Sequence, residues 1–168
     1  MQKLTSKTLS IPIVNQVQSE WCWAACATMV VRYYGDAKVK RCDFASQLFN
    51  QQGCCGAHVP SACNNPCNWP DIKKIYSRKK IKSTFKKSNI PFSKMVSEIN
   101  SGRPVEIGFH WTFGGSHVVL AIGYKIVQNR QYVYINDPIR GHGWQNYKDV
   151  LVANNKGSWV YSWIGIKK

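Results

Sequence analysis

The chain predicts an α+β domain with a mostly antiparallel sheet, and two observations carry that prediction. Helical periodicity dominates the first half of the sequence, and short β-rich segments fill the second. Helices followed by strands, rather than alternating with them, give an α+β arrangement. The 168 residues are 44% hydrophobic and 18% charged. That composition fits a single domain over residues 1–168 and excludes wholesale disorder. The sequence holds no run of 18 apolar residues, so no transmembrane helix is expected.

Residues 1–20 read as an extended arm, with Pro12 between Ile11 and Ile13. The apolar stretch Trp21–Tyr34 carries one charge, Arg32, and places Cys22, Cys26, Met29, Val30 and Tyr33 at helical spacing. A helix this apolar belongs in the interior, and Gly35 stops it. A shorter helix is expected over Asp43–Asn50. Residues 51–70, QQGCCGAHVPSACNNPCNWP, form a turn-rich, Cys-rich insert that needs staples to hold one shape. Pro70 suits the start of a helix reaching Arg78, and Phe92–Asn100 suits another, ending before Gly102. After Pro104 the pattern turns to strands: Val105–Phe109, His117–Ile126, Gln131–Asp137 and Ser158–Ile166. Residues 1–100 are thus expected to be mainly helical and 101–168 to form the sheet.

Lys and Arg number 23 against 8 Asp and Glu, a formal charge of +15. Eight of the fifteen residues from Lys73 to Lys87 are basic. Such a run is either a solvated face or an attractor for something acidic: nucleic acid, an anionic membrane or an acidic protein. No helix-turn-helix, zinc-finger or RNP pattern supports base reading.

Seven cysteines leave an odd thiol. The simplest arithmetic leaves Cys22 free and pairs Cys26, Cys42, Cys54, Cys55, Cys63 and Cys67 in three disulfides, whose connectivity stays open. A metal site built from Cys54, Cys55, His58, Cys63 and Cys67 competes, but it lacks paired CxxC spacing. Bridges imply an oxidising destination. The first twenty residues hold no apolar run long enough for a secretory leader.

Three segments carry chemistry together. Cys22 falls at a predicted helix start, where unpaired N–H groups and the helix dipole stabilise a thiolate. His117 opens a strand behind Gly114-Gly115-Ser116, and Asp137 closes the next strand. A hairpin around Gln128-Asn129 brings the start of one to the end of the other. Asp137 then orients the imidazole, and His117 takes the thiol proton. Gln16, six residues before Cys22, offers a side-chain amide to an oxyanion hole with the Cys22 N–H. Taken singly, these residues are ordinary: a half-exposed strand histidine, an Asp-Pro turn and a glutamine in an arm. Their occurrence in compatible places is what points to a site. His110, before Trp111-Thr112-Phe113, is the alternative base. His142 reads as part of a Gly-flanked turn. Trp23, Trp111 and Trp144 are cleft walls or ordinary core.

The set Gln16, Cys22-Trp23-Ala24-Ala25, His117-Val118-Val119 and Asn136-Asp137-Pro138 resembles the papain-like cysteine proteases over most of residues 11–140. The papain signature has a Cys three residues before the nucleophile; Ser19 stands there instead. The Asp-Pro twenty residues after His117 is closer to two compact bacterial branches: the effector-type proteases and the double-glycine leader peptidases. WCWAA, the Cys-rich insert and HVVLAIGY…INDP together resemble the effector-type branch best.

The resemblance implies a two-lobed fold, with a helix starting at Cys22 facing a β-sheet lobe across a cleft for an extended protein substrate. It implies peptide-bond hydrolysis through a thioester, with Cys22 as nucleophile, His117 as base and then acid, Asp137 as orienting group and Gln16 as oxyanion donor. It implies no cofactor and no metal. It also implies an effector or toxin that is secreted or delivered into a target cell. A basic toxin invites an acidic inhibitor or immunity protein as a partner. A Gly-Gly cleavage preference follows from the likeness to leader peptidases. Two other readings remain: a peptidoglycan amidase or endopeptidase using the same triad, and a basic nucleic-acid-binding module with structural cysteines.

Overall fold

A computed structural model describes residues 5–168. The helices are α1 (Cys22–Tyr33), α2 (Arg41–Phe49), α3 (Trp69–Arg78), α4 (Phe92–Asn100) and the short α5 (Tyr147–Leu151). The strands are β1 (Ser6–Thr8), β2 (Lys82–Lys86), β3 (Val105–Trp111), β4 (Ser116–Val127), β5 (Arg130–Asp137), β6 (Gly141–Asn146) and β7 (Gly157–Lys167). They form one antiparallel sheet in the order β2-β7-β3-β4-β5-β6, with β1 added to β4. The fold is α+β, as the sequence predicts. Among the described residues no helix is long and apolar enough to cross a membrane.

The centre of the molecule is α1 packed on β4. Nine of the twelve α1 residues, including Trp23, Cys26, Met29 and Val30, are buried. In β4 every residue from His117 to Tyr124 is buried, so both faces of the strand are covered. Each such Val, Ile or Leu contributes about 1.5–3 kcal/mol by leaving water. Helix α1 ends where expected, with Gly35 at φ 108°, a conformation that favours glycine. Helix α2 begins where the Asp43 carboxylate accepts from the Lys40 N–H at 2.8 Å. Helix α4 packs on β4, β1 and β3 rather than on the other helices.

Four elements depart from the expected pattern. Strand β2 lies within the basic run: Lys82, Thr84 and Lys86 face water, while Phe85 stacks on Tyr161 (5.5 Å). The lysines hide a period-two alternation that Ile81, Ser83 and Phe85 still carry. Strand β1 draws the arm onto β4, so close to Gly123 that a Cβ there would meet the Lys7 carbonyl at 2.9 Å. The first four residues of the expected arm lie outside the described residues. His142 belongs to β6, opposite Asn136, not to a turn. Helix α5 caps itself through Asn146, whose side chain accepts from the Lys148 N–H.

The disulfide arithmetic is corrected. Two bridges form, Cys42–Cys55 and Cys54–Cys63, and Cys22, Cys26 and Cys67 stay free. Cys26 is sealed inside α1, where its thiol donates to the Val118 carbonyl at 3.6 Å, so no other cysteine reaches it. The metal alternative fails with it. Among the described residues the one group of metal-ligating type is Cys42, Asp43 and Cys55, and its two sulfurs are bonded to each other.

Candidate active site

Cys22 is the first residue of α1 and is half-buried. Its backbone N–H therefore has no partner within the helix. The stapled insert holds the helix start in place. The indole of Trp21 donates to the Cys63 carbonyl (2.7 Å), and that of Trp23 to the Asn65 carbonyl (3.1 Å). Asn64 adds a clasp on each side, accepting from the Glu20 N–H and donating to the Ser19 hydroxyl, both at 3.0 Å. The two disulfides thus fix the loop that fixes the start of α1.

His117 and Asp137 come from the hairpin that the sequence predicts. Its turn residues Gln128 and Asn129 have φ of 48° and 61°, the left-handed pair of a two-residue hairpin turn. The β4–β5 pairing then brings the start of β4 beside the end of β5. His117 Nε2 lies 2.8 Å from Asp137 Oδ1, with His117 only 3% exposed. The same carboxylate oxygen accepts from the N–H groups of Ile139 (2.9 Å) and Arg140 (3.2 Å). These bonds lock Asp137, and with Nε2 committed to it, Nδ1 of His117 is left for Cys22.

The electrostatics follow from this. Burial works against a charge on His117, but hydrogen bonds to Asp137 and Cys22, and their negative charge, outweigh it and push the pKa up to about 9. Burial would likewise raise Asp137, yet its bonds from His117, Ile139 and Arg140 hold it below its ordinary value. Burial, foremost, pushes the Cys26 and Cys67 thiols well up, leaving both protonated.

Between the lobes, beside the Cys22 sulfur, runs a cleft of about 330 Å³. Its walls include Trp23, Cys67 and Trp69 on the helical side and Gly115, Ser116 and Val118 on the sheet side. Cys67 and Trp69 were not anticipated as cleft residues. The signal available was Pro70, which marks a helix start and so puts Trp69 at a second helix N-terminus facing the sheet. Gly108 seats Trp69, since a Cβ there would come within 2.6 Å of the indole. Trp111 stacks on His117, with centroids 5.9 Å apart and planes 17° apart. Trp144 is elsewhere, against Tyr134 and under Lys125. His110 is exposed on β3 and pairs in register with Ser116, while His58 is exposed in the insert.

Gln16 sits in the loop before Cys22, buried, with its N–H donating to the Pro138 carbonyl (3.1 Å). Its side chain differs from the expected free donor. Nε2 gives its hydrogens to the carbonyls of Gln18 (2.8 Å) and Ser19 (2.7 Å), and Oε1 is buried without a partner. The tight turn at Val17, with φ 58°, folds those carbonyls back onto the amide.

Comparison with known proteins agrees with the fold. Three solved structures share the fold at low identity. A double-glycine-motif protease from an AMS/PCAT transporter, solved with its leader peptide, is 20% identical with a TM-score of 0.57, covering 100% of this chain and 99% of its own. A mite allergen from a study of Blo t 1 and Der p 1 is 11% identical with a TM-score of 0.63, covering 98% and 71%. Procathepsin L2 from the larval midgut of Tenebrio molitor is 12% identical with a TM-score of 0.63, covering 100% and 69%. No curated protein matches the sequence. Residues 8–166 match the Peptidase_C39 like family, nearly the whole chain, so the protein belongs to that family and is a papain-like cysteine protease.

Proposed function

We propose that this protease cleaves polypeptides with a Cys22–His117–Asp137 triad. The observation that carries the reading is the His117–Asp137 bond of 2.8 Å beside Cys22 at a helix N-terminus that opens into a cleft. With its pKa near 9, His117 holds a proton at neutral pH, and the Cys22 sulfur faces a cation that stabilises its thiolate. The thiolate attacks the scissile carbonyl, and the Cys22 N–H, unpartnered in the helix, donates to the oxyanion. Gln16 supplies the second donor once its amide leaves the Gln18 and Ser19 carbonyls. His117 gives its proton to the departing amine, leaving a thioester on Cys22. It then takes a proton from water, which attacks the thioester and frees the acid. Asp137 keeps the imidazole aimed throughout.

The reading extends to deployment as a secreted or delivered effector, and to an acidic inhibitor as a partner. The charge of +15, the two disulfides and the effector-type sequence pattern support it. The catalytic assignment is tested by treating the unreduced protein with an epoxide inhibitor of papain-like enzymes and mapping its peptides by mass spectrometry. One adduct on Cys22, absent from Cys22→Ala, with Cys26 and Cys67 unlabelled, is the expected result. An adduct elsewhere, or peptidase activity in Cys22→Ala, overturns it.

A further inference from the structure

A second hollow, of about 240 Å³, lies beside the stapled insert and shares no wall residue with the cleft at Cys22. Three cations line it: Arg32 from the last turn of α1, Lys40 just before α2, and Arg41, the first residue of α2. No acidic side chain lines it. Among the described residues no salt bridge reaches Arg32, Lys40 or Arg41. The nearest acid in sequence, Asp43, accepts from the Lys40 N–H (2.8 Å) and lines a neighbouring hollow with Asp36.

The two arginines are held in place by neutral groups. Arg41 Nη1 donates to the Asn15 carbonyl (2.5 Å), and Arg32 Nε donates to the Val39 carbonyl (3.1 Å). These carbonyls fix the guanidiniums without cancelling their charge. A guanidinium carries several N–H donors, and each of these two has spent one. Arg41 is half-buried, and burial, with the charge of Arg32 second, pulls its pKa below the ordinary value. Two like charges thus face one hollow with nothing of opposite sign between them, an arrangement that costs free energy until an anion enters. The Cys42–Cys55 bridge forms part of the wall, so the start of α2 and its cations keep their place against the insert.

From this arrangement we propose that Arg32, Lys40 and Arg41 form a binding site for a phosphate group, separate from the catalytic cleft. Guanidinium forks meet phosphate oxygens in pairs, and Lys40 adds a point charge. Three cations without a counter-charge favour a doubly charged group over a single carboxylate. The hollow has room for such a group and bound water. Its source is either the free ion or a phosphate ester on a larger molecule. Val17 and Gln18 also line the hollow, so a bound phosphate lies against the turn whose Gln18 carbonyl holds the Gln16 amide. The site stands whether or not Cys22 is the nucleophile.

The test is an amide NMR titration of the unreduced full chain with inorganic phosphate, with sodium chloride holding the ionic strength constant. Saturable shifts should gather at Gln18, Arg41, Cys42 and Gly56, which line the hollow. Arg41→Gln should weaken binding by about tenfold or more, and Lys40→Gln by about threefold. Lys73→Gln, which removes the same charge from an exposed position on α3, should leave it unchanged. Lys40 is exposed, so its variant keeps the test decisive even where loss of the Asn15 bond unfolds Arg41→Gln. A phosphoserine peptide that binds more tightly than inorganic phosphate assigns the site to an ester, and the reverse order assigns it to the free ion. Acetate that binds as tightly as phosphate overturns the choice of a doubly charged group. Shifts that never saturate, or that respond to Lys73→Gln as they do to Lys40→Gln, overturn the site.

Discussion

Glu106 offers the most demanding test of the energetics. It lies on β3, fully buried; the Tyr76 hydroxyl donates to its Oε2, and Oε1 has no partner. Burial, opposed only in part by the Tyr76 bond, pushes its pKa from the ordinary 4.5 up to about 8. In the unfolded chain the carboxyl ionises above 4.5, while the folded protein keeps the proton until about 8. Folding takes up a proton in that window, so stability falls as pH rises through it. The loss develops at about 1.4 kcal/mol per pH unit and sums to about 3 kcal/mol between pH 5 and 7.5.

Glu106→Gln keeps an acceptor for Tyr76 and cannot ionise, so it escapes this loss. His117, also raised, loses stability in the same direction from its ordinary 6.5 up to about 9, but both proteins share that contribution and it cancels in the comparison. At about 2–4 °C per kcal/mol for a chain of this size, the Tm advantage of the variant should grow by about 6–12 °C from pH 5 to 7.5. Differential scanning calorimetry at closely spaced pH values measures it. Parallel Tm–pH curves for the two proteins would refute the claim that Glu106 is folded in its neutral form.

Two further outcomes follow from the site. The activity of wild type should fall on the alkaline side as His117 loses its proton near pH 9, and Asp137→Asn, which removes the carboxylate charge that raises the imidazole, should move that limb to lower pH; a limb that stays in place in a pH–kcat/KM profile contradicts the assignment. Gln16→Ala should lower kcat by about 10²-fold with KM little changed, as loss of an oxyanion donor does, whereas a drop in Tm with kcat preserved would make Gln16 a strut of the Val17 turn and nothing more.

Much of this was legible in the sequence where one local signal dominated. Phe92–Asn100 forms the helix its pattern predicts, and Gln128-Asn129 is the hairpin turn that sets His117 against Asp137. What was illegible depended on distant partners or on conflicting signals. Lysines mask β2, because charge on an edge strand and charge on a solvated loop read alike. Cys26 was assigned to a bridge because arithmetic counts thiols and not directions; its place on α1 aims it at Val118. Cys67 and Trp69 become cleft walls only through the packing of α3 against α1 and the sheet, which no spacing rule supplies. The amide of Gln16 turns away from the expected hole because the Val17 turn brings two carbonyls to it, a backbone event that residue type alone does not announce.

The place of β7 has a consequence in time. This eleven-residue strand follows all the other described elements in sequence, yet it lies inside the sheet, between β2 and β3. Synthesis delivers Cys22 early, the stapled insert next, and then the hairpin of His117 and Asp137. Strand β3, whose Phe109 pairs with His117, keeps its other edge empty until β7 emerges. A chain that lacks β7 thus holds Cys22, His117 and Asp137 without the finished sheet that supports them. The cleft is therefore finished only when β7 is in place, and the order of the strands makes assembly of the sheet wait for it.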